Sequence, residues 1–270
     1  MADYYDFEYF RTEVREHGVL WVTLDRPDRR NAVSPEMHEE LAPLFRRIGD
    51  DRDVKVVVLT GAGDKAFCVG ADFGGMQSNL GGAGYEDGFP DLMLGSASVV
   101  RAQLAIPQPV IAAVNGDAIG LGATMALFCD IVLLADHARI ADPHVKAGLV
   151  AGDGGAILWP LLMGLNRGKE FLLTGDMMTA GEAHRVGLAN HVYPGAELLA
   201  EADALARRLA QGPAIAIQFN KRLANADLVD RVNRVLDAAL AMEAITFQSA
   251  DHREAVSSFL EKRPAAFGTK

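Results

Sequence analysis

The 270-residue chain has only two cysteines, Cys68 and Cys129, each set in an apolar run. Neither a disulfide framework nor the paired spacing of a metal site can be built from them. That usage fits a reducing compartment, and a cytoplasmic location is expected. Basic charge is also scarce, with 26 Lys and Arg against 36 Asp and Glu, a net charge of -10. Nucleic-acid binding needs a concentrated cationic face, so no nucleic-acid partner is expected. A local anion site made from a few cations and backbone N–H groups is still compatible. No apolar run approaches the roughly 20 residues that span a bilayer, so no membrane partner is expected. The first ten residues are acidic and aromatic, unlike the basic-then-apolar start of a signal or transit peptide. Neither a fixed-period repeat nor a low-complexity tract is present, apart from one glycine-rich stretch. What remains is a chain with 50% hydrophobic and 23% charged residues, large enough to bury a core without covalent staples.

Along the chain, short β-branched runs alternate with amphipathic helical patterns. Val19–Leu24 reads as a strand stopped by Asp25-Arg26-Pro27. Ser34-Pro35 opens a helix, with Met37, Leu41, Leu44, Phe45 and Ile48 on its apolar face. Val54–Thr60 is nearly continuous in β-branched residues, as in a strand buried on both faces. Further strands are expected at Phe67–Val69, Val110–Val114, Ile131–Ala135 and Ile140–Asp142, with helices near 96–105, at Gly120–Cys129 and from Asp153 to Leu162. Residues 74–95, rich in glycine and without periodicity, read as a mobile loop over a site. After about Gly195 the pattern is helical only. An α/β core over 1–194 and a helical region over 195–270 follow.

The chemistry lies in the turns. Gly120-Leu121-Gly122 follows one strand and opens a helix, but Met125 stands where a dinucleotide fingerprint needs its third glycine, and no P-loop lysine follows. The segment offers free N–H groups at a helix N-terminus, suited to an anion or a developing oxyanion. The turn Gly70-Ala71-Asp72 could aim another N–H at the same point, and two convergent donors make an oxyanion hole.

These residues carry a resemblance. Phe67-Cys68-Val69-Gly70-Ala71-Asp72, the run Pro109–Gly116 followed by Gly120-Leu121-Gly122 and Cys129-Asp130, the entry segments Leu24–Pro27 and Asn31–Val33, and the terminal Phe259–Arg263 resemble the crotonase (enoyl-CoA hydratase/isomerase) superfamily, over about residues 19–267. The resemblance implies an α/β fold, a ββα spiral core with a C-terminal helical trimerisation region, assembled as a trimer or a dimer of trimers. It implies an acyl-CoA thioester substrate, as in fatty acid metabolism, with coenzyme A brought by the substrate and no resident cofactor or metal. By position, the N–H groups of Ala71 and Leu121 would be the oxyanion hole. Arg26, Ala32, Val69, Ala71, Asp72, Phe73, Gly120 and Thr124 would line the substrate path, and Lys262 would reach the CoA phosphates of a neighbouring subunit. Gly74 stands where the family often has a lysine.

The departures bear on mechanism. Thr124 and His144 occupy the positions where typical hydratases carry two glutamates. Asp153, in Ala151-Gly152-Asp153-Gly154-Gly155, falls where several branches, dihydroxynaphthoyl-CoA synthases among them, place a functional aspartate. His144 and Asp153 also resemble the pair of the 6-oxocamphor hydrolase branch, which cleaves β-diketones and has a second histidine where Leu121 stands. The leading expectation is an enoyl-CoA hydratase or isomerase with His144 as acid/base and Asp153 as its orienting partner or a second acid/base. Asp153 also reads as a helix N-cap, and Glu243 reads first as an exposed or interface charge and second as a further carboxylate of the site. A carbon–carbon bond hydrolase of β-dicarbonyl compounds and a non-catalytic CoA-binding homologue are the alternatives.

Overall fold

The computed structural model describes residues 3–72 and 84–268, with the backbone path alone over 84–92. The chain enters through a hairpin, β1 (Phe10–Arg15) and β2 (Val19–Leu24), followed by α1 (Pro35–Asp50). Three strand–strand–helix turns succeed it. The first is β3 (Val56–Gly61), β4 (Ala66–Cys68) and α2 (Gly84–Leu104); the second is β5 (Val110–Val114), β6 (Asp117–Ile119) and α3 (Leu121–Leu127). The third is β7 (Ile131–Ala135), β8 (Arg139–Ala141), a 3-10 turn at His144–Ala147, and the helices α4 (Gly155–Met163) and α5 (Leu165–Thr174). Then come β9 (Met178–Thr179), α6 (Ala180–Val186), β10 (His191–Tyr193), α7 (Leu198–Ala210), α8 (Ala214–Ala224), α9 (Ala226–Phe247) and α10 (Ala250–Leu260).

Each turn gives its first strand to one sheet and its second to another. The larger sheet runs β1-β2-β3-β5-β7-β10, parallel except for the β1–β2 hairpin. The smaller runs β4-β6-β8-β9, with only β9 antiparallel. This is the expected spiral. Strand β3 is buried along its whole length, in keeping with its unbroken β-branched sequence. Helix α1 starts where the sequence places it: Ser34 Oγ accepts from Met37 N–H, Pro35 takes the first helical position, and the predicted apolar face is buried.

Several elements were hidden in the sequence. β1 alternates buried and exposed residues, but only over its first four positions. β6 and β9 span three and two residues, too short for periodicity to register. The glycine-rich stretch departs from expectation most: from Gly84 onward it is helix, not loop. The far end of α2 buries Ala97, Val99 and Val100 and packs against α1, and that tertiary contact overrides the weak helix propensity of its glycines. The rest of the stretch, with Phe73 and Gly74, lies outside the described residues.

The helices after Gly195 do not stand apart from the core. α7 crosses β3, β5 and β7, and α9 packs on α2 and α4. Through α9 the C-terminal region supplies one wall of the cleft described next.

Candidate active site

The backbones of two turns meet first. Gly70 has a φ of +84°, a conformation open to glycine but strained for other residues, and its amide plane leads directly to Ala71. A Cβ built on Gly70 would lie 3.6 Å from Leu121 N, so the two turns are in contact. Gly122 sets the distance behind them: a Cβ there would come within 2.1 Å of the Cys68 carbonyl oxygen, so α3 can sit on β4 only because residue 122 has no side chain. The turn before Ala71 is anchored by Val33, whose N–H donates to Gly70 O at 2.8 Å and whose carbonyl accepts from Asp72 N–H at 2.9 Å. Leu121 N opens α3, where no intrahelical acceptor exists. Among the described residues, neither Ala71 N–H nor Leu121 N–H is spent on another hydrogen bond.

His144 stands beside this pair. A Cβ on Gly120, itself at a φ of +56°, would lie 3.6 Å from His144 Cε1 and 3.9 Å from Nε2. The 3-10 turn carrying His144 brings its Nδ1 to 2.5 Å from Asp142 Oδ1. Asp142 is fully buried, and its other oxygen has no hydrogen-bond partner among the described residues. The Nε2 side faces two further carboxylates, Asp153 Oδ2 at 3.8 Å and Glu243 Oε1 at 3.9 Å. Thr124 Oγ1 donates to Asp153 Oδ1 at 3.1 Å and fixes that carboxylate. Glycines again make the room: a Cβ on Gly152 would collide with Glu243, and one on Gly155 with Asp142.

Burial and mutual charge perturb the cluster. Burial works against the His144 imidazolium, but the charges of Asp142 and Asp153, the hydrogen bond to Asp142 and the Glu243 charge outweigh it and hold its pKa well above 6.5. Burial pushes Glu243 up to about 8, helped by the neighbouring Asp153. Asp153 is also raised, by burial first and against the pull of His144. Carboxylates this close to each other do not all ionise together at neutral pH. The group therefore holds exchangeable protons beside two unspent N–H donors. His144, Asp153 and Glu243 border one cleft of roughly 180 Å³, whose remaining wall is mainly apolar, including Val99, Val100, Leu240 and Phe247, while Asp142 lies buried behind His144.

The comparisons with known proteins bear on the same frame. The enoyl-CoA hydratase/isomerase family model matches residues 14–270. The chain belongs to that family. Relatives within it include a crotonyl-CoA hydratase of Syntrophomonas wolfei, 34% identical over 95% of this chain and 96% of that protein. Among solved structures, an enoyl-CoA hydratase/isomerase from Mycobacterium paratuberculosis is similar with a TM-score of 0.88 at 38% identity, covering 94% of this chain and all of that one. A β-diketone hydrolase from the cyanobacterium Anabaena sp. PCC 7120, bound to (S)-3-oxocyclohexyl acetic acid, has a TM-score of 0.82 at 33% identity, covering 89% of this chain and 94% of that one.

Set against this family's pattern, the structure gathers Val69, Ala71, Gly120, Leu121, His144 and Asp153 on one cleft. Thr124 stands behind them, buried, as the anchor of Asp153. Arg26 does not reach the cleft: its guanidinium donates to the Ala32 carbonyl at 2.5 Å and to Asp72 at 3.2 Å, tying the entry loop together. Lys262 is exposed and is not among the residues that line the cleft within this chain. The two cysteines are buried core residues, and burial pushes the Cys68 thiol up to about 12.

Three expectations need correcting. Asp153 is not the N-cap of α4: Gly154 holds that position, and Asp153 Oδ1 only receives Gly155 N–H at 3.5 Å. Nor is Asp153 the partner that orients His144, because Asp142 holds the other ring nitrogen at much shorter range. Glu243 is not an exposed charge; it is 8% exposed and borders the cleft. Asp142, which the sequence reading missed, and Glu243, which it held only as a second choice, each left a trace. Asp142 lies two positions before His144, and Glu243 continues the buried stripe of Leu236 and Leu240 on α9.

Proposed function

We propose that the protein is an acyl-CoA enzyme of the hydratase/isomerase type. In this reading the thioester enolate is held by Ala71 and Leu121 N–H, and protons are handled by His144 with Asp153 and Glu243. The observation that carries the reading is the pair of unspent N–H donors beside the imidazole of His144. In this reading the developing negative charge forms between them, where removing one such donor typically costs about 3 kcal/mol of transition-state stabilisation.

For hydration, a carboxylate of the Asp153–Glu243 pair accepts a proton from water as the oxygen bonds to the β-carbon. The displaced π electrons move onto the thioester oxygen between the two N–H groups. The enolate collapses by taking a proton at the α-carbon from His144 Nε2, and the carboxyl returns its proton to Nε2, closing the cycle. For isomerisation, the same carboxylate removes a proton from carbon instead of water, and His144 returns one elsewhere on the chain. Asp142 stabilises the imidazolium throughout. Coenzyme A enters with the substrate, and Lys262 is proposed to meet its phosphates in an assembly of subunits built through the C-terminal helices.

The test is His144→Ala, assayed on short enoyl-CoA thioesters and by α-proton exchange in D2O. Turnover and exchange are expected to fall about 10²- to 10⁴-fold with little change in acyl-CoA affinity. Activity equal to the unaltered protein would overturn the assignment. No exchange on any thioester, despite measurable CoA binding, would favour a non-catalytic homologue.

A second reading draws on the replacement of the two glutamates by this cluster and on the likeness to the β-diketone hydrolase. In it, water activated at the cluster attacks one carbonyl of a β-dicarbonyl compound, and the enolate leaves into the oxyanion hole. Release of a carboxylic acid with no coenzyme A present would select it.

A further inference from the structure

The cleft has a polar feature that the proposed chemistry does not use. His38 on α1 and Ser96 on α2 border the same cleft as His144, among Met93, Val99 and Val100. Among the described residues the His38 ring makes one hydrogen bond, between Nε2 and Ser96 Oγ at 3.4 Å. That is longer than the roughly 2.7–3.2 Å of a well-formed bond, so both groups keep hydrogen-bonding capacity. The ring has been given its place: a Cβ on Gly95 would lie 3.3 Å from His38 Cε1. Burial lowers the His38 pKa, against a small opposing effect of Glu39. The imidazole is therefore neutral at pH 7, with one nitrogen as donor and one as acceptor.

We propose that His38 and Ser96 form a second polar subsite of the cleft, which binds a carbonyl or hydroxyl oxygen carried by the acyl group away from its reacting carbons. A plain hydrocarbon chain would strip water from both groups and return nothing, whereas an oxygen placed there replaces the lost hydrogen bond. The preferred substrate is thus an oxygenated acyl thioester, and the inference rests on the acyl-CoA reading above.

The test compares equilibrium binding of hexanoyl-CoA with that of its 4-oxo and 5-oxo counterparts, none of which can be hydrated. The unaltered protein is expected to bind one oxo form about tenfold more tightly than hexanoyl-CoA. His38→Phe is expected to erase that preference while leaving hexanoyl-CoA affinity near its starting value. His38→Gln, which keeps a donor and an acceptor, is expected to retain part of it, and Ser96→Ala to reduce it. Equal binding of all three thioesters by the unaltered protein, or a preference that survives His38→Phe, would overturn the subsite. If no thioester binds, the acyl-CoA reading fails by itself. The comparison then passes to cyclohexanone against cyclohexane-1,3-dione, where a dione preference lost in His38→Phe upholds the subsite and equal binding removes it.

Discussion

In the proposed mechanism, Asp142 decides which nitrogen of His144 exchanges protons. Its 2.5 Å contact to Nδ1 keeps the proton there and turns Nε2 toward Asp153, Glu243 and the cleft. Asp142→Asn keeps the shape but removes the charge and can present an amide N–H to Nδ1, which favours the wrong tautomer. We expect kcat to fall by about 10²-fold or more with KM little changed. His144 should then titrate closer to 6.5, as read by imidazole NMR shifts; an unmoved titration would show that Asp142 does not act on His144. Glu243 makes a separate prediction about stability. Its folded pKa, about 8, lies above that of an exposed carboxyl, so between about pH 4.5 and 8 the native state keeps a proton that the unfolded chain has released. Raising pH through that window removes stability, and the raised pKa of His144 acts in the same sense above about 6.5. Glu243→Gln, which cannot ionise, should gain on the unaltered protein between pH 5 and pH 8 in urea unfolding. A constant difference across that range would refute the buried-proton account.

At the scale of elements, the proposed oxyanion frame depends on how closely α3 lies on β4. Gly122→Ala would force a methyl carbon against the Cys68 carbonyl, where backbone, not a flexible side chain, is in the way. We expect a loss of stability of about 1–3 kcal/mol. We also expect a disproportionate loss of α-proton exchange, because Leu121 N would move with the helix. Exchange retained in a folded Gly122→Ala protein would argue against Leu121 as a donor. The entry loop relies on Asn31, fully buried at a φ of +56°, whose side-chain amide donates to Ala62 O at 3.0 Å and Ala66 O at 2.9 Å. This motif residue was legible as part of the entry segment, but its work of stitching the loop to β3 and β4 was not, because the partners lie more than 30 positions away.

For the whole molecule, the exposed apolar residues of the C-terminal region matter most. Ile215, Phe219 and Leu223 are 70%, 60% and 75% exposed and follow one another at four-residue intervals along α8, which buries none of its own residues. A stripe of this kind is expected to be covered by another copy of the chain. Sedimentation velocity should show an assembly larger than a monomer at micromolar concentration, and a Phe219→Asp, Leu223→Asp double variant should shift it toward monomer. A monomeric unaltered protein would refute this. The net charge of -10 sets no obstacle to a polyanionic ligand, since local cations and N–H groups decide that contact.

By itself the sequence determined the family, the alternation of strands and helices, the two turns that supply N–H donors, and His144 with Asp153 as chemical candidates. Those signals are local: β-branched runs, a Ser-Pro helix start, and glycines at turns. The tertiary structure decided what surrounds His144. Glu243 lies 90 positions after Asp153, and only the packing of α9 on α2 and α4 brings it to the imidazole. His38 reaches the cleft by the packing of α1 on α2, and Asp142 wins the Nδ1 position because the 3-10 turn folds the ring back over its own strand end. Side-chain chemistry is written in sequence, but which groups desolvate and perturb one another depends on distances that close only when the elements pack.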